Sequence, residues 1–409
     1  MDTPGEKPSR IPRPPLPRNV KLLGWASFLN DVASEMVFPL LPQFLATLLG
    51  ANRAYLGTVL GAIEGLADSV ASLLKLASGG WSDRIGARKG LVVLGYGIAA
   101  VVRPLIGLLA APWQLLAVRV GDRIGKGIRT SPRDACIAES AAAEIHGRAF
   151  GFQRAMDHLG AVLGPLVAFA FLAAWPGRFR PLFLLTLLPG ILVVALLAFG
   201  LREQRAAPRS PEKMSWTLKP FGPGFRLYLL ALAVFTLGNS SDAFLLVRAG
   251  DLEFGIPAEV IPLLWCAFHV VKSGGNYVAG HAVDRIGPRP MILAGWALYG
   301  AVYLGFALST QAWHVWALFA AYALFYALTE PAEKTLVASL VGSQQRGLAY
   351  GWFNLAVSIT TLPANLIFGT LYDRLGPLAA FGWGAAMAAA AAAIFVFVRV
   401  KDSTRGPRS

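Results

Sequence analysis

The sequence has little charge for its length: charged residues make up 15% of its 409 residues, against about a quarter in a soluble globular protein. It has two cysteines, Cys136 and Cys266, which stand far apart beside apolar runs, so we expect buried thiols and no disulfide. Apolar residues make up 55% of the chain, and the mean hydropathy is +0.54. A soluble fold cannot bury that much apolar surface. The composition therefore argues against soluble enzymes, secreted disulfide scaffolds and disordered proteins, and indicates a chain dissolved in lipid.

Long apolar runs follow one another along the whole chain. A helix needs about 20 apolar residues to cross a bilayer, and twelve runs approach or exceed that length. We therefore predict an all-α membrane protein with twelve transmembrane helices. The predicted spans are 21–48, 54–78, 90–111, 113–136, 148–174, 181–200, 226–248, 260–280, 290–309, 312–338, 348–370 and 378–399.

Positive charge is concentrated on one side of the predicted membrane. If the N-terminus is cytoplasmic, most of the 37 lysines and arginines fall in cytoplasmic segments, as the positive-inside rule requires. The basic excess therefore indicates topology and not nucleic-acid binding. We predict a bacterial inner-membrane protein with both termini in the cytoplasm. Its parts are a disordered tail at 1–19, a six-helix bundle at 20–200, a cytoplasmic linker at 201–225, a second six-helix bundle at 226–400 and a tail at 401–409.

Three motifs of the first half recur in the second half at offsets of 199 to 201 residues. Matches in the same order at nearly one spacing indicate an internal repeat. Two such halves imply a pseudo-two-fold axis along the membrane normal, with a binding site near the midplane between them. The matched segments are 83–88 with 284–289, 130–134 with 329–333, and 147–152 with 347–352.

The loop motifs resemble those of a known transporter family. The segment Gly80–Lys89 resembles the loop 2–3 signature G-x-x-x-D-R-x-G-R-R/K of the major facilitator superfamily (MFS), and Gly280–Pro290 is a degenerate copy in loop 8–9. Gly160–Pro165 resembles the G-x-x-x-G-P motif of the antiporter branch. The resemblance implies two pseudo-symmetric six-helix bundles in which spans 1, 4, 7 and 10 line a central cavity.

The resemblance also implies a gating latch on the cytoplasmic side. The aspartate of each D-R-x-G loop would meet the positive end of span 11 or span 5, and this contact would favour the outward-open state. The alternative is that the basic residues only anchor the topology. The glycine motif implies close helix packing. The latch residues are Asp83, Arg84, Gly86, Arg88, Asp284 and Arg285, and the packing residues are Gly160, Gly164 and Pro165.

Ionisable residues within the spans are informative because each costs roughly 2.5–3.5 kcal/mol at a helix centre. Many of them recur at helical spacing, so we expect them to face one cavity. Buried carboxylates can take up protons in the working pH range, which makes Asp31, Glu35 and Asp242 candidates for proton coupling. The candidate cavity residues are Asp31, Glu35, Asp122, Arg123, Arg154, Asp157, Asp242, His269, Lys272 and Glu330.

Basic residues in the same set predict a substrate with an acidic group. Arg123, Arg154 and Lys272 are the candidates for binding an anionic or zwitterionic group, and purely structural ion pairs are the alternative. Asp31 with Glu35 leaves a hard or borderline metal cation as a minor alternative substrate. The sequence has no phosphate loop, HExxH or CxxC motif. We therefore expect no cofactor and no resident metal, and a proton gradient as the driving force.

Together these patterns predict a secondary active transporter and not an enzyme. It would move a small polar or ionisable solute by alternating access, with export by antiport favoured. The alternatives are a proton-coupled importer of a polar nutrient or siderophore-like compound, a metal-cation exporter, and a non-transporting receptor on the same scaffold. The expected partners are a small-molecule substrate, protons and the lipid bilayer, without nucleic acid, and we expect a monomer.

Overall fold

The structure, a computed structural model, describes residues 15–85, 88–142, 145–203, 217–342 and 346–398. These five ranges contain α-helices, short 3-10 helices and loops, and they contain no β-strand. The predicted all-α fold is therefore confirmed. Most of both predicted tails and of the linker lies outside the described residues.

The first half of the described chain forms α1 to α8. Proline begins or closely follows the start of several helices, because the first helical turn does not need the proline N–H. The helices are α1 Arg18–Glu35, α2 Leu41–Leu49, α3 Leu56–Ile85, α4 Lys89–Val102, α5 Pro112–Ser140, α6 His146–Ala174, α7 Phe179–Leu185 and α8 Leu187–Gly200.

The second half forms α9 to α15, and its first helix begins inside the predicted linker. The helices are α9 Pro223–Gly238, α10 Ala243–Ala249, α11 Ile261–Ile286, α12 Pro288–Leu308, α13 Ala312–Leu340, α14 Arg346–Leu375 and α15 Pro377–Phe395.

Nine segments of the described chain are long and apolar enough to cross a membrane. One of them, Arg18–Ser82, runs through α1, α2 and most of α3. Two long helices, α5 and α11, are not among the nine. Both carry predicted cavity residues, Asp122 and Arg123 on α5 and His269 and Lys272 on α11, and such ionisable side chains lower the hydropathy of a helix. The length and hydropathy of these segments support a protein that spans the membrane several times, while the number of twelve spans stays a prediction.

The span predicted over 226–248 is broken in its middle, which the apolar pattern did not indicate. The helix α9 ends at Gly238 and α10 begins at Ala243. The intervening sequence, Asn-Ser-Ser-Asp, favours the break because short polar side chains compete for backbone hydrogen bonds. The break places Asp242 directly before α10, at the level of the space between the halves.

Neighbouring helices satisfy the backbone groups that this break releases. Asn365 Oδ1 on α14 accepts a hydrogen bond from Ser241 N at 2.8 Å. On the other side of the break, Tyr299 OH donates to Gly238 O at 2.8 Å, and Trp383 Nε1 donates to Leu237 O at 3.0 Å. Irregular backbone at membrane depth is tolerated where buried protein groups satisfy it. These contacts therefore stabilise the non-helical segment between α9 and α10.

The two halves meet along two helix pairs, α3 with α14 and α6 with α11. The α3–α14 pair is unusually close at Gly57 and Gly369. A Cβ added to Gly57 would lie 2.6 Å from Gly369 O, so the two backbones could not approach in this way with larger residues.

The predicted glycine motif lies where α6 packs against α1, inside the first half. A Cβ on Gly160 would lie 2.5 Å from Phe28 O, and one on Gly164 would lie 2.7 Å from Val32 O. Pro165 is buried within α6. The motif residues therefore lie at a helix contact within one bundle.

The bundle has two ends, which we call the terminal face, where α1 begins, and the opposite face. On the opposite face, Asp373 of α14 caps the first turn of α3: its Oδ1 accepts from Gly57 N at 2.7 Å and its Oδ2 from Thr58 N at 2.6 Å. Gln43 Nε2 of α2 also donates to Leu246 O of α10 at 3.3 Å. These contacts join the two halves at the opposite face.

Candidate functional site

A central cavity lies between the two halves and consists of three adjoining compartments. The first, of about 480 Å³, lies between α3, α5, α9, α13 and α14. The second, of about 300 Å³, and the third, of about 320 Å³, lie between helices that include α1, α5 and α11. Lys126 lines all three compartments. All ten predicted cavity residues line at least one of them.

Asp242 is held by two tyrosines that the sequence analysis did not single out. Tyr322 OH donates to Asp242 Oδ1 at 2.7 Å, and Tyr326 OH donates to Oδ1 at 2.9 Å and to Oδ2 at 3.1 Å. The two tyrosines are four residues apart on α13, so they project from one helix face. That spacing beside Glu330 was the available sequence signal. The arrangement fixes a carboxylate at the helix break, facing the first and second compartments.

Glu35 lies at the end of α1 and contacts the other half of the molecule. Trp265 Nε1 of α11 donates to Glu35 Oε2 at 2.8 Å, and His269 Nε2 lies 3.8 Å from the same oxygen. Asp31, one turn earlier, accepts a hydrogen bond from Asn30 Nδ2 at 3.0 Å. Both predicted carboxylates of span 1 therefore face the second and third compartments, and one of them links the halves.

Several charges of the first half form buried ion pairs. Arg119 binds Glu64 through two hydrogen bonds, Nε to Oε1 at 2.9 Å and Nη2 to Oε2 at 2.7 Å. Asp122, a predicted cavity residue, pairs with Arg103 from the end of α4 at 2.6 Å. These four side chains are buried, and such fully satisfied pairs hold helices in register at the wall of the cavity. Their sequence positions lie 55 and 19 residues apart, so only the fold brings the partners together.

The three predicted substrate-binding cations each lie near a carboxylate. Arg123 Nε is 2.9 Å from Asp68 Oδ1, and Lys272 Nζ is 3.0 Å from Glu330 Oε1. Lys272 also lies over the Tyr326 ring, 3.6 Å from its centroid. In a separate paired position on α6, Arg154 lies 3.9 Å from Asp157 and has a side chain that is 63% exposed. Each of the three predicted cations therefore lies within ion-pair distance of an acid.

Two lysines in the cavity have no such partner. Lys75 on α3 and Lys126 on α5 line the third compartment. Within the part of the chain that the structure describes, neither ammonium group makes an ion pair or a side-chain hydrogen bond. Lys126 appears in the sequence as one member of a basic stripe, and nothing in that pattern distinguishes it from its paired neighbours.

Most of the predicted latch lies outside the described structure. Gly86 is not described, and the same holds for the side chains of Asp83, Arg84 and Asp284. Of the remaining latch residues, Arg285 is exposed, while Arg88 Nη1 pairs with Glu139 Oε1 of α5 at 2.7 Å. The latch therefore stays a prediction.

A separate groove of about 860 Å³ runs between α6, α11 and α13 and shares Arg154 and Lys272 with the third compartment. Its walls between these charges include the apolar side chains of Leu159, Val162 and Val270.

Across all described ranges, no group of three or more His, Cys, Asp or Glu side chains is arranged to hold a metal ion.

Comparison with known proteins covers nearly the whole chain. The sequence profile of the Major Facilitator Superfamily matches residues 23–257 and 229–409. An uncharacterized MFS-type transporter of Methanocaldococcus jannaschii is 33% identical over 377 residues, which are 91% of this chain and 93% of that protein. The class C tetracycline resistance protein of Escherichia coli is 25% identical, over 84% of this chain and 87% of that protein.

The helical architecture agrees with the sequence match. A solved structure of a bacterial homologue of the human lysosomal transporter Spinster, in an inward-facing and occupied conformation, aligns with a TM-score of 0.69. The alignment covers 93% of this chain and 94% of that one, at 17% sequence identity. The resemblance predicted from the loop motifs is confirmed. The chain belongs to the Major Facilitator Superfamily and is a multi-pass membrane transporter, not an enzyme.

Proposed function

We propose that this transporter is a proton-coupled secondary carrier that exports a small polar or ionisable solute by alternating access. The central cavity between two pseudo-symmetric halves is the expected site for such a solute. The contacts of Asp373 and Gln43 join the halves at the opposite face. With both termini in the cytoplasm of a bacterial inner membrane, this arrangement corresponds to a carrier closed toward the outside.

The observation that carries the proposal is the hydrogen bond from Trp265 to Glu35 across the two halves. A hydrogen bond to an ionised carboxylate is about twice as strong as one between neutral groups. Protonation of Glu35 would therefore weaken a contact that helps to hold α1 and α11 together. Proton binding at this carboxylate and separation of the halves are thus energetically linked, which is what coupling requires.

Export is favoured over import by two observations. The relative from Escherichia coli is named for resistance to tetracycline, and a carrier that removes a toxic solute from the cell confers resistance. The segment Gly160–Pro165, which resembles the antiporter motif, packs α6 against the helix that carries Glu35. A symporter would share the cavity and the acidic residues, but it would not be expected to have an antiporter-like motif or a relative named for drug resistance.

The test uses purified protein in proteoliposomes with a pH-sensitive dye inside. Pools of amino acids, dicarboxylates, sugar phosphates and tetracycline are added with and without a proton gradient. We expect at least one pool to drive proton movement with the wild type and not with empty liposomes. In Glu35→Gln the solute should still move, but its flux should no longer respond to the gradient. Inverted and right-side-out vesicles then give the direction of transport.

The matched control is Glu259→Gln, which removes the same charge from the loop before α11. Glu259 makes no hydrogen bond or ion pair within the described ranges. This control should couple like the wild type. Solute flux in Glu35→Gln that still follows the proton gradient would refute the role of Glu35, and wild-type flux indifferent to the gradient would refute proton coupling.

A further inference from the structure

The cations of the central cavity divide into those that have a carboxylate partner and those that do not. Every arginine or lysine in the first group lies within 4.0 Å of an aspartate or glutamate oxygen. The second group contains Arg129 and the two lysines, Lys75 and Lys126. The paired cations are Arg103, Arg119, Arg123, Arg133, Arg154 and Lys272.

Arg129 is held by other groups of the protein. Its guanidinium lies over the Tyr96 ring, 4.5 Å from the centroid, and its Nη1 donates to Gly95 O at 3.3 Å. The side chain is buried within the first half. Lys75 and Lys126 are therefore the two cavity cations whose charged groups make neither an ion pair nor a hydrogen bond among the described residues.

The acids beside these two lysines have donors of their own. In the third compartment, Asp157 Oδ2 accepts from Gln153 Nε2 at 2.6 Å, and Asp134 pairs with Arg133 at 2.8 Å. Asp31 and Glu35 accept from Asn30 and Trp265, as described above. Each of these acids therefore already has a donor. Among the described residues that line the three compartments, the cations that have neither an ion pair nor a hydrogen bond are the two lysines.

The backbones of α3 and α5 bring the two lysines to the same wall. Ser131 Oγ of α5 donates to Lys75 O at 2.8 Å, and Ser78 Oγ of α3 donates to Gly127 O at 2.8 Å. A Cβ added to Gly127 would lie 2.5 Å from Leu74 Cβ. The two helices are therefore in direct contact at the residues next to the two lysines. The two ammonium groups therefore enter the compartment from adjacent points on tightly joined helices.

Two unpaired ammonium groups inside a membrane protein are costly unless something neutralises them. Lysine is a flexible point charge that binds phosphate and carboxylate groups well. We propose that Lys75 and Lys126 together bind a dianionic group of the transported solute, such as a phosphate, a phosphonate or a pair of carboxylates. This inference rests on the proposed transport function, and it specifies the class of solute as an organic dianion.

The assignment differs from the one made from the sequence. Arg123, Arg154 and Lys272 already have carboxylates nearby, so an incoming anion would have to compete with them. Lys75 and Lys126 need no such exchange. Lys126 also lines the first and second compartments, and so does Asp242. A solute whose dianionic group is bound to Lys126 can therefore extend into the compartments that Asp242 lines.

The test measures binding to the detergent-solubilised full chain at constant ionic strength. Inorganic phosphate at pH 8 and succinate are the dianionic probes, and acetate is the monoanionic probe. Anion binding to the folded state raises the melting temperature, and isothermal titration gives the affinity. We expect phosphate or succinate to bind at least tenfold more tightly than acetate. Lys75→Gln and Lys126→Gln should each weaken dianion binding at least tenfold, and the double variant should abolish it.

Two controls keep the result interpretable. Lys219→Gln removes a lysine from the exposed segment before α9 and should bind both dianions like the wild type. Lys126→Arg keeps the charge and should retain most of the affinity. The glutamine variants should melt, without anion, no lower than the wild type, because they remove an unpaired charge.

Undiminished dianion binding in the double variant would overturn the proposal, and so would equal affinity for acetate and phosphate or no wild-type binding of either dianion. These outcomes are distinct from failure of the transport function. A protein that binds no dianion but moves protons with another solute refutes only the lysine site. A protein that binds phosphate but shows no proton-coupled flux refutes only the transport proposal.

Discussion

The contact of Asp373 with the start of α3 offers the sharpest test of how the halves are held together. Its two carboxylate oxygens accept hydrogen bonds from the free N–H groups of Gly57 and Thr58, at 2.7 and 2.6 Å. These N–H groups belong to the first helical turn, where no carbonyl of α3 can reach them. The contact crosses from one half to the other, so it exists only while the opposite face is closed.

Asp373→Asn preserves the shape of the side chain but removes its charge and one acceptor. Loss of a hydrogen bond to a charged group costs roughly 1.5–3 kcal/mol, and loss of the charge at a helix N-terminus costs roughly 0.3–1 kcal/mol. We take about 2 kcal/mol as the loss for the closed state, within the range of these values. This corresponds to an increase of about thirtyfold in the ratio of open to closed molecules at the opposite face.

The assay is double electron–electron resonance between spin labels on the two halves. Asn52→Cys and Leu375→Cys place the labels at exposed positions of the opposite face, in a background where buried Cys136 and Cys266 are alanine. The long-distance population should grow in Asp373→Asn and stay unchanged in Glu259→Gln. Identical distance distributions in the two variants would refute the view that this cap holds the opposite face closed.

Three further predictions concern stability, measured as melting in detergent. Glu64→Gln removes the carboxylate that binds the buried guanidinium of Arg119, whose next acid, Asp122, lies 4.0 Å away, and should cost about 3–5 kcal/mol; Arg119→Gln in the same chain should recover part of that loss, and strict additivity of the two changes would argue against the ion pair. Gly164→Ala forces a Cβ into the α1–α6 contact and should cost about 1–3 kcal/mol, whereas Gly97→Ala, with nothing within 4 Å of the added Cβ, should be close to neutral. Asn365→Leu removes the acceptor at the helix break and should cost about 1–3 kcal/mol, while Asn354→Leu, which removes an exposed amide from the same helix, should melt near the wild type; equal melting of both variants would show that this acceptor is dispensable.

The fold class could be read from the sequence because its signals are local. A run of about 20 apolar residues reports a membrane helix without reference to any other part of the chain. The D-R-x-G loop at Gly80–Lys89 and its copy in the second half carry the family resemblance in the same local way. Helical spacing also indicated which ionisable residues of a span share one face, since residues three and four apart lie on the same side of a helix, whereas the choice of the spans that line the cavity came from the family resemblance.

The break between α9 and α10 could not be read in the same way. Asn239 and the two serines after it permit a break, but they also occur in intact helices. The decision depends on Asn365, which lies 124 residues away from Ser241, and on the side chains that reach the carbonyls before the break. Without those partners the released backbone groups would be unsatisfied in a membrane.

The sequence by itself determined that this protein is an all-helical membrane transporter with an internal repeat and with ionisable residues inside the membrane. Hydrophobicity and spacing are properties of short segments, so the chain alone carries them. Only the tertiary structure decided which of those ionisable residues are paired. Arg123 and Lys126 lie three residues apart on α5, yet Arg123 forms an ion pair with Asp68, whereas Lys126 forms none within 4.0 Å among the described residues. A charge becomes available to a substrate through what surrounds it in space, and packing between distant helices sets those surroundings.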